Sequence, residues 1–244
     1  MSRYWDDETV YSQPSAEELK LKAKESVLRA GKKGKTYEPA LCRTKRGAIC
    51  ESWWGQAWCL NLERYADYAS RLERGKGYVR SGAVIDLQIS PGRVEAKVQG
   101  RRRTPYKVEI RIGRLNEDNC QKIIDRCTKK IESLETLVKG EFPEELKDIF
   151  TQGGGLFPTP KEISFACSCP DWAMMCKHVA AVMYGIGLRF DENPFYFFTL
   201  RGIDADRFID VALENSLEKM LSNAGSRSER IIDDVDVTEL FGVV

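Results

Sequence analysis

The chain has 244 residues, a formal net charge of +1, 42% apolar residues and 31% charged residues, enough for one large or two small domains with a real core. No charged region followed by an apolar run opens it, and its longest nearly uninterrupted apolar stretch, Val179 to Leu188, is about half of what a membrane span needs. A secreted or membrane-spanning protein is therefore not expected, and eight cysteines without an export signal point to reduced thiols, metal and a cytoplasmic location.

Residues 1–14 are polar and carry Tyr4, Trp5 and Tyr11 without periodicity. Ser15 followed by Glu18 is a capping-box pattern, which predicts a helix from Ala16 to Ala30 that stops at Gly31. Lys32-Lys33-Gly34-Lys35 then reads as a linker, so residues 1–40 are expected to form a mobile N-terminal arm with one helix. A second helix is predicted after Ser52, with Trp53, Ala57, Leu60 and Arg64 on one face. Trp54, Trp58, Leu62, Tyr65 and Ala69 lie on an adjoining one. The three tryptophans are read as core, with a base-stacking platform as the alternative.

Three strands follow. Val84 to Ile89 is ended by a Ser90-Pro91-Gly92 turn, and Arg93 to Val98 and Tyr106 to Ile112 alternate apolar and charged residues with period two. The result is an antiparallel β-meander whose second turn contains Arg101, Arg102 and Arg103. A helix is predicted over 117–138, with Ile123, Cys127, Ile131, Leu134 and Val138 in one stripe, then a short acidic helix from Glu141 to Asp148. Gly153-Gly154-Gly155 marks a flexible break or a tight loop. Ile163 to Ala166 reads as a short strand and the residues after Cys176 as a helix whose first turn presents His178.

The densest chemistry lies between that strand and that helix. Cys167, Cys169, Cys176 and His178, the chain's single histidine, form C-x-C-x6-C-x-H. Each close pair can supply two metal ligands from one short stretch of backbone, and Cys3His is a standard tetrahedral zinc set. Buried thiols beside a core histidine are the plainer alternative. Four protein ligands leave no position for water, so one structural zinc is expected and not a catalytic one. A strand-knuckle-helix of this kind buries little alone and is expected to depend on its metal. Cys42 and Cys50, with Cys59, make a weaker second grouping.

Charge is uneven along the chain. Residues 41–115 carry sixteen Lys and Arg against seven Asp and Glu, whereas residues 191–244 carry five against twelve. Arg101, Arg102 and Arg103, extended by Lys97, Arg43, Lys45 and Arg46, are candidate phosphate contacts. The plainer reading is a solvated surface. The acidic stretch Asp233-Asp234-Val235-Asp236 before Leu240-Phe241 suits either a docking tail or a solvated terminus. With the one histidine committed to metal, no general base can be named, so an enzyme is not expected.

Cys-Ser-Cys-Pro-Asp-Trp followed by Cys-Lys-His-Val-Ala-Ala-Val resembles the SWIM zinc finger. The tryptophan segment 53–58, Arg71 to Val79, Pro105-Tyr106-x-Val108 and the segment 189–195 resemble bacterial single-module SWIM proteins, so the likeness covers roughly residues 50–205. It implies an interaction module that binds nucleic acid or protein, often associated with Swi/Snf-type helicase-like ATPases, with Cys167, Cys169, Cys176 and His178 as zinc ligands. The expected architecture is α+β: helices plus a small antiparallel β-meander, with a C-terminal zinc knuckle. It divides into the arm over 1–40, a basic helix-and-meander body over 41–150, the finger over 151–200 and a helical, acidic segment over 201–244. The expected function is that of a zinc-binding, non-catalytic accessory protein that binds DNA without sequence specificity beside such an ATPase. The alternative is a protein–protein interaction subunit of the ATPase with no direct DNA binding.

Overall fold

The computed structural model describes residues 14–130 and 146–224. Tyr4, Trp5 and Tyr11, the predicted stripe from Ile131 to Val138, the start of the helix predicted from Glu141, and the acidic tail with Leu240 and Phe241 lie outside the described residues. Within them the fold is α+β, as the periodicity predicts. The elements are α1 (Ala16–Gly31), α2 (Trp53–Glu63), α3 (Ala69–Arg80), β1 (Val84–Ser90), β2 (Arg93–Val98), β3 (Tyr106–Ile112), α4 (Glu117–Lys130), α5 (Lys147–Thr151), β4 (Ile163–Cys167), α6 (Lys177–Glu192), α7 (Tyr196–Arg201) and α8 (Ala205–Ala224).

The four strands form one antiparallel sheet in the order β1-β2-β3-β4. The alternation sorts its faces. Leu87, Val94, Ala96, Val98, Val108, Ile110 and Ile112 are buried inward, with Val94 opposite Ile110 and Ala96 opposite Val108. The outer face sets like charges opposite one another, Arg93 to Arg111, Glu95 to Glu109 and Lys97 to Lys107. Diagonal, same-strand and directly opposite pairs offset that repulsion: Arg93 reaches Glu109 at 3.2 Å, Arg111 reaches Glu109 at 2.6 Å, and Lys97 reaches its β1 partner Asp86 at 2.6 Å. The knuckle strand adds itself to the meander, with Cys167 opposite Val108.

Helix α6 lies against the inner face of the sheet, with α2 and α3 also packed on it. Twelve of its sixteen residues are buried, as a helix apolar on every side requires. Glycine allows one of these approaches. A Cβ added at Gly75 of α3 would stand 2.6 Å from the Ala180 Cβ. Helix α2 is fixed at both ends: the Ser52 hydroxyl accepts the Gly55 N–H, and Asp191 at the end of α6 accepts the N–H groups of Glu51 and Ser52. The tryptophans resolve to the core reading. Trp58 is fully buried and donates its indole N–H to the Met183 carbonyl, Trp54 donates to the Phe190 carbonyl, and Trp53 packs edge-on against Phe150.

The structure differs from expectation at two places and decides between two readings at a third. The helix predicted to run on through Ala69 ends at Glu63, and a separate helix, α3, follows, which the apolar pattern did not reveal. Its weak signal comes from Gly75, Gly77 and four basic residues, because glycine lowers helix propensity and here serves close packing. The arm expected over 1–40 is, in its described part, docked: α1 has the full capping box between Ser15 and Glu18 and buries Leu19, Ala23, Ser26 and Ala30. The Ser26 hydroxyl donates to the buried Gln99 side chain at 2.5 Å. Of its two expected forms the Gly153-Gly154-Gly155 segment takes the tight loop, since a Cβ at Gly155 would collide with the Ile149 carbonyl oxygen.

Helix α7 is anchored through Arg201, which is fully buried. Its guanidinium donates to the Gly113 carbonyl at 2.5 Å and to Glu162 at 2.6 Å. Burial pushes the Glu162 carboxyl up, but Arg201 together with the Thr159 N–H and hydroxyl outweighs this and holds it below the ordinary range.

Two outcomes are expected. Gly75→Leu overpacks the contact between α3 and α6 and should lower the unfolding free energy by about 2 kcal/mol in urea titration; an unchanged midpoint would contradict that contact. Glu162→Gln leaves the buried Arg201 uncompensated and should cost about 2 kcal/mol at neutral pH. Because the folded-state pKa of Glu162 is depressed, its contribution is present above the unfolded glutamate value near 4.5 and disappears as pH falls through the folded value. Melting curves of wild type and Glu162→Gln should therefore converge in acid, and a constant gap would refute this linkage.

Candidate metal centre

Strand β4 delivers the first pair of thiols. Its end is fixed by Ser168, whose N–H donates to the Lys107 carbonyl at 3.0 Å and whose hydroxyl accepts the Lys107 N–H at 2.9 Å. With period-two alternation, Cys167 and Cys169 lie on one side of the chain and Ser168 on the other. The chain turns at Pro170 and Asp171 and returns to Cys176, which is the N-cap of α6 and accepts the Val179 N–H on its sulfur at 3.5 Å. His178 follows in the first turn.

The donor atoms of Cys167, Cys169, Cys176 and His178 all lie within 4.8 Å of one another. Metal bonds of about 2.3 Å to sulfur and about 2.0 Å to nitrogen in a tetrahedron place donors roughly 3.5–3.8 Å apart, so the set fits such an ion with small adjustment. Nδ1 is the nitrogen that faces the sulfurs, 3.9 Å from Cys167 and 4.0 Å from Cys176. The ring is 3% exposed. It stacks on Tyr106 at 4.2 Å and meets the edge of Tyr78 at 5.3 Å. Two aromatic side chains from different elements therefore set its orientation.

The electrostatics favour a cation. A hydrogen bond from the Cys167 thiol, opposed by burial and helped by His178 and the Val179 N–H, brings Cys176 down to about 4. That thiolate in turn pushes Cys167 up, and burial with the Cys176 charge pushes Cys169 up. Three thiolates this close need a positive ion to coexist. Among the described residues this is the one group of three or more potential metal-ligating side chains placed together. Cys50 and Cys59 meet at 3.5 Å, while Cys42 contacts Thr44, so the weaker grouping does not assemble as a second centre among the described residues.

The candidate phosphate contacts are distributed unevenly. Arg101, Arg102 and Arg103 are exposed on the turn between β2 and β3. That turn is fastened from below. Lys22 donates to the Arg101 carbonyl at 3.3 Å, Gln99 to the Arg102 carbonyl at 2.6 Å, and Arg29 to the Arg103 carbonyl at 3.2 Å. The Arg102 guanidinium lies 5.4 Å from the Tyr106 ring centre, the ring on which His178 stacks, so the arginine turn abuts the metal centre. Lys97 instead pairs with Asp86 on the outer face and lies over Tyr37. Arg43, Lys45 and Arg46 are exposed on the loop before α2, where Arg80 donates to the Gly47 carbonyl.

Sequence reasoning missed the supports of this centre. Asp67 accepts the N–H groups of Met174 and Met175, and Asp171 pairs with Arg71 at 3.1 Å. Tyr78 and Tyr106 enclose the histidine. No spacing rule links these residues, because they converge from α3 and the turn before it, β3 and the knuckle only after folding.

A protein of Mycobacterium tuberculosis (strain ATCC 25618 / H37Rv) described as Uncharacterized protein Rv2102 is 40% identical to this chain over 162 residues. The match covers 66% of the chain and 58% of the relative, so the chain spans less than two thirds of that protein's length. No family model matches the chain, and no solved structure matches it with significance.

His178→Ala is expected to lower bound metal to a small fraction of wild type, measured by elemental analysis. It should also lower the melting temperature of the whole cooperative transition, because the same side chain packs between Tyr78 and Tyr106. Normal metal content would refute the ligand assignment. Since the raised thiols must lose protons to bind, metal affinity should fall as pH is lowered.

Proposed function

We propose that the chain is a zinc-binding, non-catalytic accessory protein that contacts nucleic acid, with a single structural zinc held by Cys167, Cys169, Cys176 and His178. The observation that carries this reading is the adjacency of a Cys3His set, half-buried at Cys167 and Cys169 and buried at Cys176 and His178, and an exposed arginine turn, joined through the Tyr106 ring. Zinc suits three sulfurs and one imidazole, and four protein donors leave no open coordination position for a water or substrate. The zinc is then architectural: it ties β4 to the start of α6 and thereby supports the surface beside the arginine turn.

Arg101, Arg102 and Arg103 would contact phosphates through the backbone of the nucleic acid, with little sequence preference and a steep salt dependence. Lys97 is a weaker candidate, because Asp86 already neutralises it. Arg43, Lys45 and Arg46 extend the basic surface on a separate loop. The C-x-C-x6-C-x-H spacing is that of a SWIM finger, and on that resemblance the protein works beside a Swi/Snf-type helicase-like ATPase in the cytoplasm. No helix of the described residues is long and apolar enough to cross a membrane.

A second reading, docking on such an ATPase without direct DNA binding, is favoured by one feature. Helix α8 leaves Leu213, Leu217, Met220 and Leu221 exposed, a spacing of four, seven and eight residues that places them near one face.

Fluorescence anisotropy of labelled DNA against zinc-loaded protein across a salt series tests the first reading. Wild type should bind with a salt slope equivalent to several phosphates. Replacing Arg101, Arg102 and Arg103 together with alanine should weaken binding at least about tenfold across sequences and reduce the slope by up to about three. Absence of binding at low salt would refute the nucleic-acid role and leave the docking reading.

A further inference from the structure

The loop between the two cysteine pairs holds an indole out in solvent. Trp172 is 80% exposed, with Met174 at 69% and Tyr68 at 44% beside it. An exposed tryptophan on a loose loop would mean little, but this loop is braced on every side. Its ends are Cys169 and Cys176. Asp171 accepts the Ala173 N–H at 3.3 Å and pairs with Arg71 at 3.1 Å. Asp67 accepts the N–H groups of Met174 at 3.0 Å and Met175 at 3.4 Å. The Tyr68 ring meets the indole edge-to-face at 5.8 Å and 87°. Both nearby carboxylates are thus engaged in holding the loop, and the indole is presented from a fixed frame.

Cations lead from this frame to the arginine turn. Arg71, Arg74 and Tyr78 share one face of α3 at spacings of three and seven residues. Arg71 joins the knuckle, and Arg74 follows it one helical turn on. The Lys177 ammonium lies 5.7 Å from the Tyr78 ring centre, Tyr78 meets His178, and His178 stacks on Tyr106 beneath Arg102. The remaining acid on this stretch of α3, Glu73, pairs with Lys76.

We propose that this surface binds single-stranded nucleic acid, with Trp172 stacking on an unpaired base while Arg74, Lys177 and Arg102 meet the adjoining phosphates. The inference rests on the nucleic-acid reading above and goes further by naming the strand state. A rigid aromatic plane beside a track of cations is the arrangement that holds single strands, since every unpaired base offers a π-face and the backbone supplies the anions. A duplex keeps its base faces covered and gives an exposed indole nothing to stack on. A protein partner would also value an exposed tryptophan, but the flanking cations favour a polyanion.

The test uses the full zinc-loaded chain with a labelled oligothymidine and a labelled duplex of equal length. Trp172→Ala should weaken oligothymidine binding by about tenfold, leave duplex affinity and the salt slope unchanged, and retain zinc and the melting temperature. Trp172→Phe should recover most of the lost affinity. As a readout that does not need the alanine variant, oligothymidine should quench wild-type tryptophan fluorescence, and Trp172→Phe should abolish that quenching. Binding by wild type that is indifferent to Trp172→Ala, or quenching that survives in Trp172→Phe, overturns this inference alone and marks the knuckle as a protein contact. Wild type that binds neither DNA overturns the nucleic-acid reading itself.

Discussion

A helix with no water-facing side needs neighbours all round, and α6 imposes that requirement on the rest of the molecule. Its twelve buried residues lose their stabilising effect unless the sheet, α2 and α3 all close on it. Much of the local chemistry serves those approaches. Gly75 lets α3 come within van der Waals contact of Ala180. Asp191 holds the start of α2 against the end of α6, and the indole N–H groups of Trp54 and Trp58 find carbonyls on the same helix. These bonds matter because an indole N–H buried without a partner would offset part of the gain from its ring.

The candidate metal centre lies at the N-terminal end of that helix, where a bound ion would have leverage over the core. Cys176 caps α6 and His178 occupies its first turn, while Cys167 belongs to the sheet edge. An ion bound by the four side chains would join two layers of the fold at the point where α6 enters it. The helix N-terminus and the Cys167 thiol favour negative charge on Cys176, and its neighbours resist ionising until a cation arrives. The site is not a free-standing knuckle of the kind its short spacing suggests.

The same placement governs the surface. Tyr106 and Tyr78 both contact the imidazole, and each also has a cation near its ring, Arg102 and Lys177 respectively. The knuckle loop is braced to α3 by Asp67 and Arg71. Basic groups, an exposed indole and the Cys/His cluster thus share one end of the sheet. The outer sheet face, by contrast, pairs several of its own charges within the sheet.

Local rules were sufficient wherever a short window carries the whole cause. Period-two alternation placed β2 and β3 at their observed limits, the Ser15–Glu18 capping box placed the start of α1, and the C-x-C-x6-C-x-H spacing brought the four donors together. Tertiary structure decided what depends on partners distant in sequence. It paired β4 with β3, made a helix of the glycine-containing segment 69–80, docked α1, and turned the three tryptophans of α2 inward while leaving Trp172 outside. The physical reason is the same in each case: burial and pairing are properties of two surfaces that meet, and a sequence window contains only one of them.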